Sequence, residues 1–231
     1  MRNLFRIFFA LSTALLAVAF ISSPEFASAQ TAAAAPALQT ISLPAPQRTG
    51  GMPLMQALDN RKTTRAFADK PLPLQQLSNL LWAGFGVNRP SMVNPSHTGP
   101  SVAKPGRTSP SGQNRQDIQL YVVLAQGVYL YEPFKNELQP VTTGDQRAKL
   151  TTTPDASAHA AVAIVFVAPA KDDPYAQVDT GFIGQNIYLY AASEGLNAWF
   201  HAFHNVDVNG ALHLPADTTP TYCLSVGYSE K

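Results

Sequence analysis

Apolar residues recur at helical spacing at Leu74, Leu77, Leu80, Leu81 and Phe85, with Pro73 before them and Gly84 and Gly86 closing the run, a pattern that predicts an amphipathic helix. A shorter helix is expected at 53–58, where Pro53 stands near the first turn. Leu120–Leu124 and Val128–Tyr131 read as two strands joined across Gly127 as a hairpin. Ala161–Ala168 is a continuous apolar run with four β-branched residues, as expected of a central strand buried on both faces. The longest helical stretch lies between about 175 and 194 and closes at Gly195. Its Gly181, Gly184, Ala191 and Ala192 make a small face, which fits close approach by another backbone or a partner helix. Asn197–Phe203 and Tyr222–Gly227 are further strands with a short helix between them. This order predicts an α+β fold with a mixed or antiparallel central sheet flanked by helices. Residues 87–110, punctuated by Pro90, Pro95, Pro100, Pro105 and Pro110, are expected to form a long loop without regular structure.

The first 29 residues have a different pattern. Arg2 and Arg6 precede an apolar run from Ile7 to Ile21, and Ala27-Ser28-Ala29 supplies a small-x-small cleavage pattern before Gln30. The expectation is a secretory signal peptide at 1–29, a flexible linker at 30–52 rich in Ala, Pro, Thr and Gln, and one domain at 53–231. The mature chain is then periplasmic or secreted, with no membrane span after cleavage; an uncleaved N-terminal anchor is the alternative. The lone Cys223 cannot form an internal disulfide and is expected in the core.

Composition bears on function through its distribution. Of 231 residues, 16 are Lys or Arg and 15 Asp or Glu, and the charged fraction of 13% is about half the usual ~25%. Past residue 29 the chain is neutral, yet residues 30–115 hold 9 basic and 2 acidic residues while 116–231 hold 5 basic and 12 acidic. This balance argues against a nucleic-acid binder and toward a local anion site in the N-terminal half.

The densest cationic segment is Arg61-Lys62-Thr63-Thr64-Arg65. In an extended chain Arg61, Thr63 and Arg65 point to one side, and two guanidiniums with a hydroxyl make a phosphate clamp. The same spacing also fits a solvated basic turn. A second group, Pro110-Ser111-Gly112-Gln113-Asn114-Arg115-Gln116, precedes a strand. The amides of Asn114 and Gln116 can read the edge of a heterocycle, or Ser109 or Ser111 can simply cap a helical turn. His201 and His204 are expected to face opposite sides, so no shared metal site is predicted. Trp82, Trp199, Tyr129 and Tyr131 can line a pocket or pack the core.

These two segments, in this order, resemble the flavin-dependent nitroreductase family, whose motifs are R-[RK]-[ST]-x-R near the domain start and P-S-x-x-N-x-Q before a strand. Further matches are Leu77–Gly86 (LSNLLWAGFG), Gly127–Pro133 (GVYLYEP), Gly184-Gln185-Asn186-Ile187 and Ala192-Ser193-Glu194-Gly195-Leu196. The LSxLLWAxxG and GxYxYxP elements are similar to the branch containing the thiazole and oxazole oxidases (SagB-like dehydrogenases). The resemblance covers roughly residues 53–231 and implies a nitroreductase-like fold and a homodimer with two FMN sites built from both chains. Carried over by position, Arg61, Lys62, Thr63 and Arg65 would bind the phosphate and ribityl chain. Pro110, Ser111 and Asn114 would come from the other subunit, with Asn114 facing the ring, and Gln116 is a further cofactor-binding candidate. Backbone after Gly195 and Leu196, around Phe200 to Phe203, would offer an amide to the flavin N5, and Lys231 would be the C-terminal phosphate contact.

The implied activity is that of an exported FMN-dependent oxidoreductase moving hydride to or from flavin N5, with no protein nucleophile. Its substrate, a small molecule or peptide, and its electron donor and acceptor are not defined by the sequence, and NAD(P)H is scarce outside the cytoplasm. The alternatives are a non-catalytic flavin-binding or storage module and a degenerate dimeric scaffold.

Overall fold

The computed structural model describes residues 37–90, 104–169 and 173–230, so the expected signal peptide at 1–29 and Lys231 lie outside the described residues. In chain order the elements are β1 (Ile41–Ser42), α1 (Leu54–Asn60), α2 (Leu74–Phe85), β2 (Val87–Arg89), β3 (Gly106–Arg107), β4 (Gln119–Leu124), β5 (Gly127–Glu132) and β6 (Glu137–Thr143). There follow α3 (Pro154–Ala158), β7 (Val162–Ala168), α4 (Ala176–Ser193), β8 (Asn197–His201), α5 (Val208–Leu212) and β9 (Thr219–Gly227).

The apolar run of β7 leaves neither face fit for water, and the strand lies inside a seven-stranded sheet ordered β1-β6-β5-β4-β7-β9-β8. Its side chains alternate: Val162, Ile164, Phe166 and Ala168 enter one hydrophobic cluster, Ala163, Val165 and Val167 another. The first cluster is closed by Leu77, Leu80 and Leu81 of α2 and Ile183 and Ile187 of α4. The second is closed by Val208 and Leu212 of α5 and by Leu150. Every strand pairing in the sheet is antiparallel, which settles the choice left open by the sequence. Tyr129, Tyr131 and Cys223 are buried, as expected of core residues, and so is Trp199, whereas Trp82 is half-buried. Among the described residues no helix is long and apolar enough to cross a membrane.

The small face of α4 works differently from the expectation. At Gly184 a Cβ would stand 2.7 Å from the Phe200 ring, so the glycine admits an aromatic side chain rather than a backbone. Gly181 faces open space. Gly195, at φ 67°, reverses the chain after α4 while the amide of Leu196 reaches back to the carbonyl of Ala191 at 2.8 Å.

Two expectations need correction. Residues 87–110 are not wholly irregular, since β2 and β3 pair with each other; residues 91–103 lie outside the described residues. Part of the expected linker belongs to the domain. β1 pairs with β6, a strand missed because Pro140 interrupts its pattern and polar residues fill it. Leu43 is 8% exposed, the hydroxyl of Ser78 donates to the Pro44 carbonyl at 2.6 Å, and Asn136 Nδ2 donates to the same oxygen at 2.9 Å. The Gln47 amide donates to Asn79 Oδ1 at 2.9 Å. A run of Ala, Pro and Thr has no periodicity of its own, and it takes its order from the polar face of α2 and the turn after β5.

Leu43→Ala should therefore lower unfolding stability by about 2 kcal/mol or more, read as a reduced urea midpoint with unchanged slope. A midpoint equal to wild type would return this segment to the status of a tether.

Candidate functional site

After α1, residues 61–66 run beside the outer edge of β8. The Thr64 amide donates to the Ala198 carbonyl at 2.9 Å, the Ala198 amide donates to Thr64 Oγ1 at 3.3 Å, and Asn197 Nδ2 donates to the Ala66 carbonyl at 2.7 Å. Thr64 is spent on the strand, which leaves Thr63 and Arg65 exposed. Arg61 lies over the Tyr188 ring, 5.4 Å from its centroid, and Thr63 Oγ1 is 2.9 Å from the Tyr188 hydroxyl. That hydroxyl also accepts the Phe200 amide at 2.8 Å, so Tyr188 ties the cationic segment, α4 and β8 together. Arg65 rests instead on Trp199, at 5.4 Å. The expected one-sided clamp is thus split: Arg61 and Thr63 share one aromatic support and Arg65 takes another. Lys62, with Asn60, Asn197 and Ser229, borders a cavity of about 370 Å³ floored by Tyr188, Ala191, Gly195 and Leu196. Among the described residues, no carboxylate pairs with Arg61, Lys62 or Arg65. A cationic segment that has no carboxylate partner among the described residues and borders the cavity through Lys62 suits an anionic ligand.

The second segment is a tight loop stapled to the first turn of α4. Ser111 Oγ donates to Asp179 Oδ2 and the Gly112 amide to Asp179 Oδ1, each at 2.8 Å, while Ser111 Oγ accepts the Gln116 amide at 2.8 Å. The Gln116 side chain donates to Asn114 Oδ1 and to the Pro105 carbonyl, both at 2.6 Å, and accepts Arg107 Nε at 3.0 Å. Arg107 is buried between the rings of Phe85 and Phe134, which lie 4.7 and 4.8 Å from its guanidinium carbon, and burial pushes its pKa down. Ser111 precedes a 3-10 turn at Gly112–Asn114 but its hydroxyl does not cap it. The side chains of Ser111 and Gln116 are therefore engaged within the chain; Pro110 is exposed and Asn114 half-buried.

The structure brings Lys62, Gly195 and Leu196 together around one cavity, with Arg61 and Thr63 on its Tyr188 wall. It does not bring Pro110, Ser111, Asn114 or Gln116 to them. Asp179 and Tyr188 are nine residues apart on α4, about 14 Å at ~1.5 Å per residue. Lys231 lies outside the described residues. Sequence reading missed Asp179, Tyr188 and Arg107, since each works through a partner distant in sequence. The one available signal was an acidic residue in the first turn of α4, which alone reads as a helix-dipole partner.

The antiparallel sheet with helices on both faces and a cationic segment at its edge is a nitroreductase-like fold. The family model "Nitroreductase family" matches residues 58–228, and the chain belongs to that family. A protein assigned as a nitroreductase from Methanocaldococcus jannaschii is 24% identical over 161 residues, covering 62% of this chain and 75% of the relative. A crystal structure assigned as a nitroreductase from Ralstonia eutropha JMP134 is 35% identical, with TM-score 0.71, over 85% of this chain and 94% of that one. At 19% identity and TM-score 0.54, a structure from Desulfovibrio desulfuricans solved in complex with FMN shares the fold over 79% of this chain and 89% of its own.

Beyond the cavity, β8 ends in His201, 8% exposed, with its ring centroid 4.2 Å from that of Trp199 and with Nε2 unpartnered among the described residues. No group of His, Cys, Asp or Glu among the described residues could hold a metal. Burial pushes the His201 pKa from 6.5 down to about 4, and Arg65 and His204 add repulsion. Between those values the unfolded chain holds a proton that the folded chain refuses. Stability is thus complete above pH 6.5 and falls as the pH drops toward 4, by roughly 3 kcal/mol. Urea unfolding at pH 7 and pH 4.5 should show a steeper loss in wild type than in His201→Gln; parallel losses would mean that His201 is not held neutral by the fold.

Proposed function

We propose that the chain is an FMN-dependent oxidoreductase of the nitroreductase family, exported and homodimeric. The observation that carries this reading is the segment Arg61, Lys62 and Arg65, whose cations have no carboxylate partner among the described residues, with Lys62 on the Tyr188 cavity and Arg61 over the Tyr188 ring. Guanidiniums offer forked donors that match phosphate oxygens, the Thr63 hydroxyl adds a neutral donor, and a phosphate monoester supplies the missing negative charge. The cavity volume of about 370 Å³ is within the range for bound cofactors, roughly 300–1,000 Å³. Arg61, Lys62, Thr63 and Arg65 would hold the phosphate and ribityl chain, with the backbone that follows Gly195 and Leu196 along the ring. When bound, FMN supplies hydride transfer at N5.

A homodimer is supported by the distance between the two motif groups and by exposed apolar side chains on α1 and α4. Leu54 and Met55 of α1 and Val178 and Phe182 of α4 are 63%, 75%, 52% and 41% exposed, an apolar surface of the kind that pairs. In a homodimer with sites shared between subunits, Asn114 of the partner subunit would complement the first subunit's cationic segment, from which its own Asn114 is set apart. The motifs similar to the thiazole and oxazole oxidase branch support kinship rather than a substrate, because Leu77, Leu80, Leu81, Tyr129 and Tyr131 are buried. Export follows from the pattern at 1–29, and it favours a reduced small molecule, a quinol or a redox protein as donor over NAD(P)H.

The purified mature protein should be yellow, or become so with FMN, and Arg61→Ala and Arg65→Ala should each weaken FMN binding by about 1.5–3 kcal/mol in a fluorescence titration. A wild-type protein that stays colourless after incubation with FMN sinks the assignment, and unchanged affinity in both variants reduces the segment to a surface turn.

A further inference from the structure

Three of the four residues Gln113 to Gln116 hold left-handed backbone: Gln113 at φ 52°, Asn114 at 54° and Gln116 at 52°, none of them glycine. Such conformations are sparsely populated by side-chain-bearing residues and persist where the surroundings over-determine them, most often where a side chain must be presented for function. The restraints on this loop differ in weight. Arg115 reaches Asp117 and Asp173 at 2.8 Å each, but its side chain is 34% exposed, and solvent screening weakens such pairs. Gly112 fits because a Cβ there would stand 2.4 Å from the Tyr175 ring; this excludes larger residues without pulling the loop into place. Asp179 is the buried restraint. Its residue is 1% exposed, and among the described residues it has no cationic partner. Both carboxylate oxygens are used to accept loop donors, Ser111 Oγ and the Gly112 amide. Through Ser111 Oγ, which accepts the Gln116 amide, the same carboxylate closes the far end of the loop. A buried carboxylate needs hydrogen bonds as much as the strained loop needs anchoring, so each satisfies the other.

We propose that Asp179 is a positioning residue: it locks loop 110–116 in its left-handed shape so that Asn114 is presented to the ring end of the flavin bound at the subunit interface. This rests on the flavin reading above. Because Asp179 acts on ring recognition and Arg61 on the phosphate, the two should separate when FMN is compared with riboflavin, which lacks the phosphate.

In the full mature chain, Asp179→Ala should raise the dissociation constants of FMN and riboflavin by the same factor, tenfold or more, whereas Arg61→Ala should weaken FMN far more than riboflavin. The visible bands of flavin bound to Asp179→Ala should move toward those of free flavin. Without any flavin, hydrogen exchange at the Gly112 and Gln116 amides should speed up in the variant. Asp179→Asn keeps the shape and one strong acceptor, so it should fall between wild type and Asp179→Ala; if the alanine variant does not fold, it decides on the same readouts. Unchanged affinities for both flavins, or unchanged exchange at both amides, in a folded variant overturns the proposal. If wild type binds neither flavin, the cofactor assignment fails and ring presentation with it, while the exchange rates still decide separately whether Asp179 holds the loop.

Discussion

Helix α4 can lie against the sheet because Gly184 leaves room for the ring of Phe200, and the rest of the structure depends on that contact. Phe200 in turn stacks on Tyr222 of β9, with centroids 4.8 Å apart, and meets Phe166 of β7 at 5.9 Å. With the helix seated, Ile183 and Ile187 close the core against α2. Two polar side chains are then fixed at positions no loop could hold as well: Asp179 at the first turn and Tyr188 two and a half turns later. One anchors the loop at 110–116, the other supports Arg61 and Thr63. A side chain larger than glycine at 184 would move both groups at once, since they share one rigid element.

The electrostatics follow from this arrangement in an unexpected way. The N-terminal half carries nine cations after residue 29, and among the described residues Arg115 pairs with Asp117 and Asp173 of the other half. Among the described residues Arg115 also lies over an aromatic ring, and so do Arg48, Arg61, Arg65, Lys70 and Arg107. An aromatic face attracts a cation without cancelling its charge. Such supports hold Arg61 and Arg65 in place while leaving their positive field available to an anion. At Arg61 and Arg65 the positive charge of the N-terminal half thus stays at the folded surface.

Elements with a strong internal period were legible from the sequence. The spacing of Leu74 to Phe85 gave α2, the apolar run at 161–168 gave β7, and Gly195 marked the end of α4. The missed elements have no such signal. β6 holds a proline and a polar majority, and β1 is two residues long, so both exist because a neighbouring edge offers hydrogen bonds to them. The candidate site divides along the same line. The cationic segment and the P-S-x-x-N-x-Q loop could be found as clusters of residue types, yet the loop's own Ser111 and Gln116 are occupied internally.

Local order along the chain determined the class of fold, the places of its main elements and the two motifs, because periodicity and charge clustering are properties of neighbouring residues. Tertiary structure decided which side chains remain available. Asp179 lies 68 positions from Ser111 and Tyr188 lies 125 from Thr63, and no local pattern encodes a pairing across such distances. It also decided that the two motifs sit apart on a single chain, since the separation is set by the rise of α4 and not by the residues of either motif.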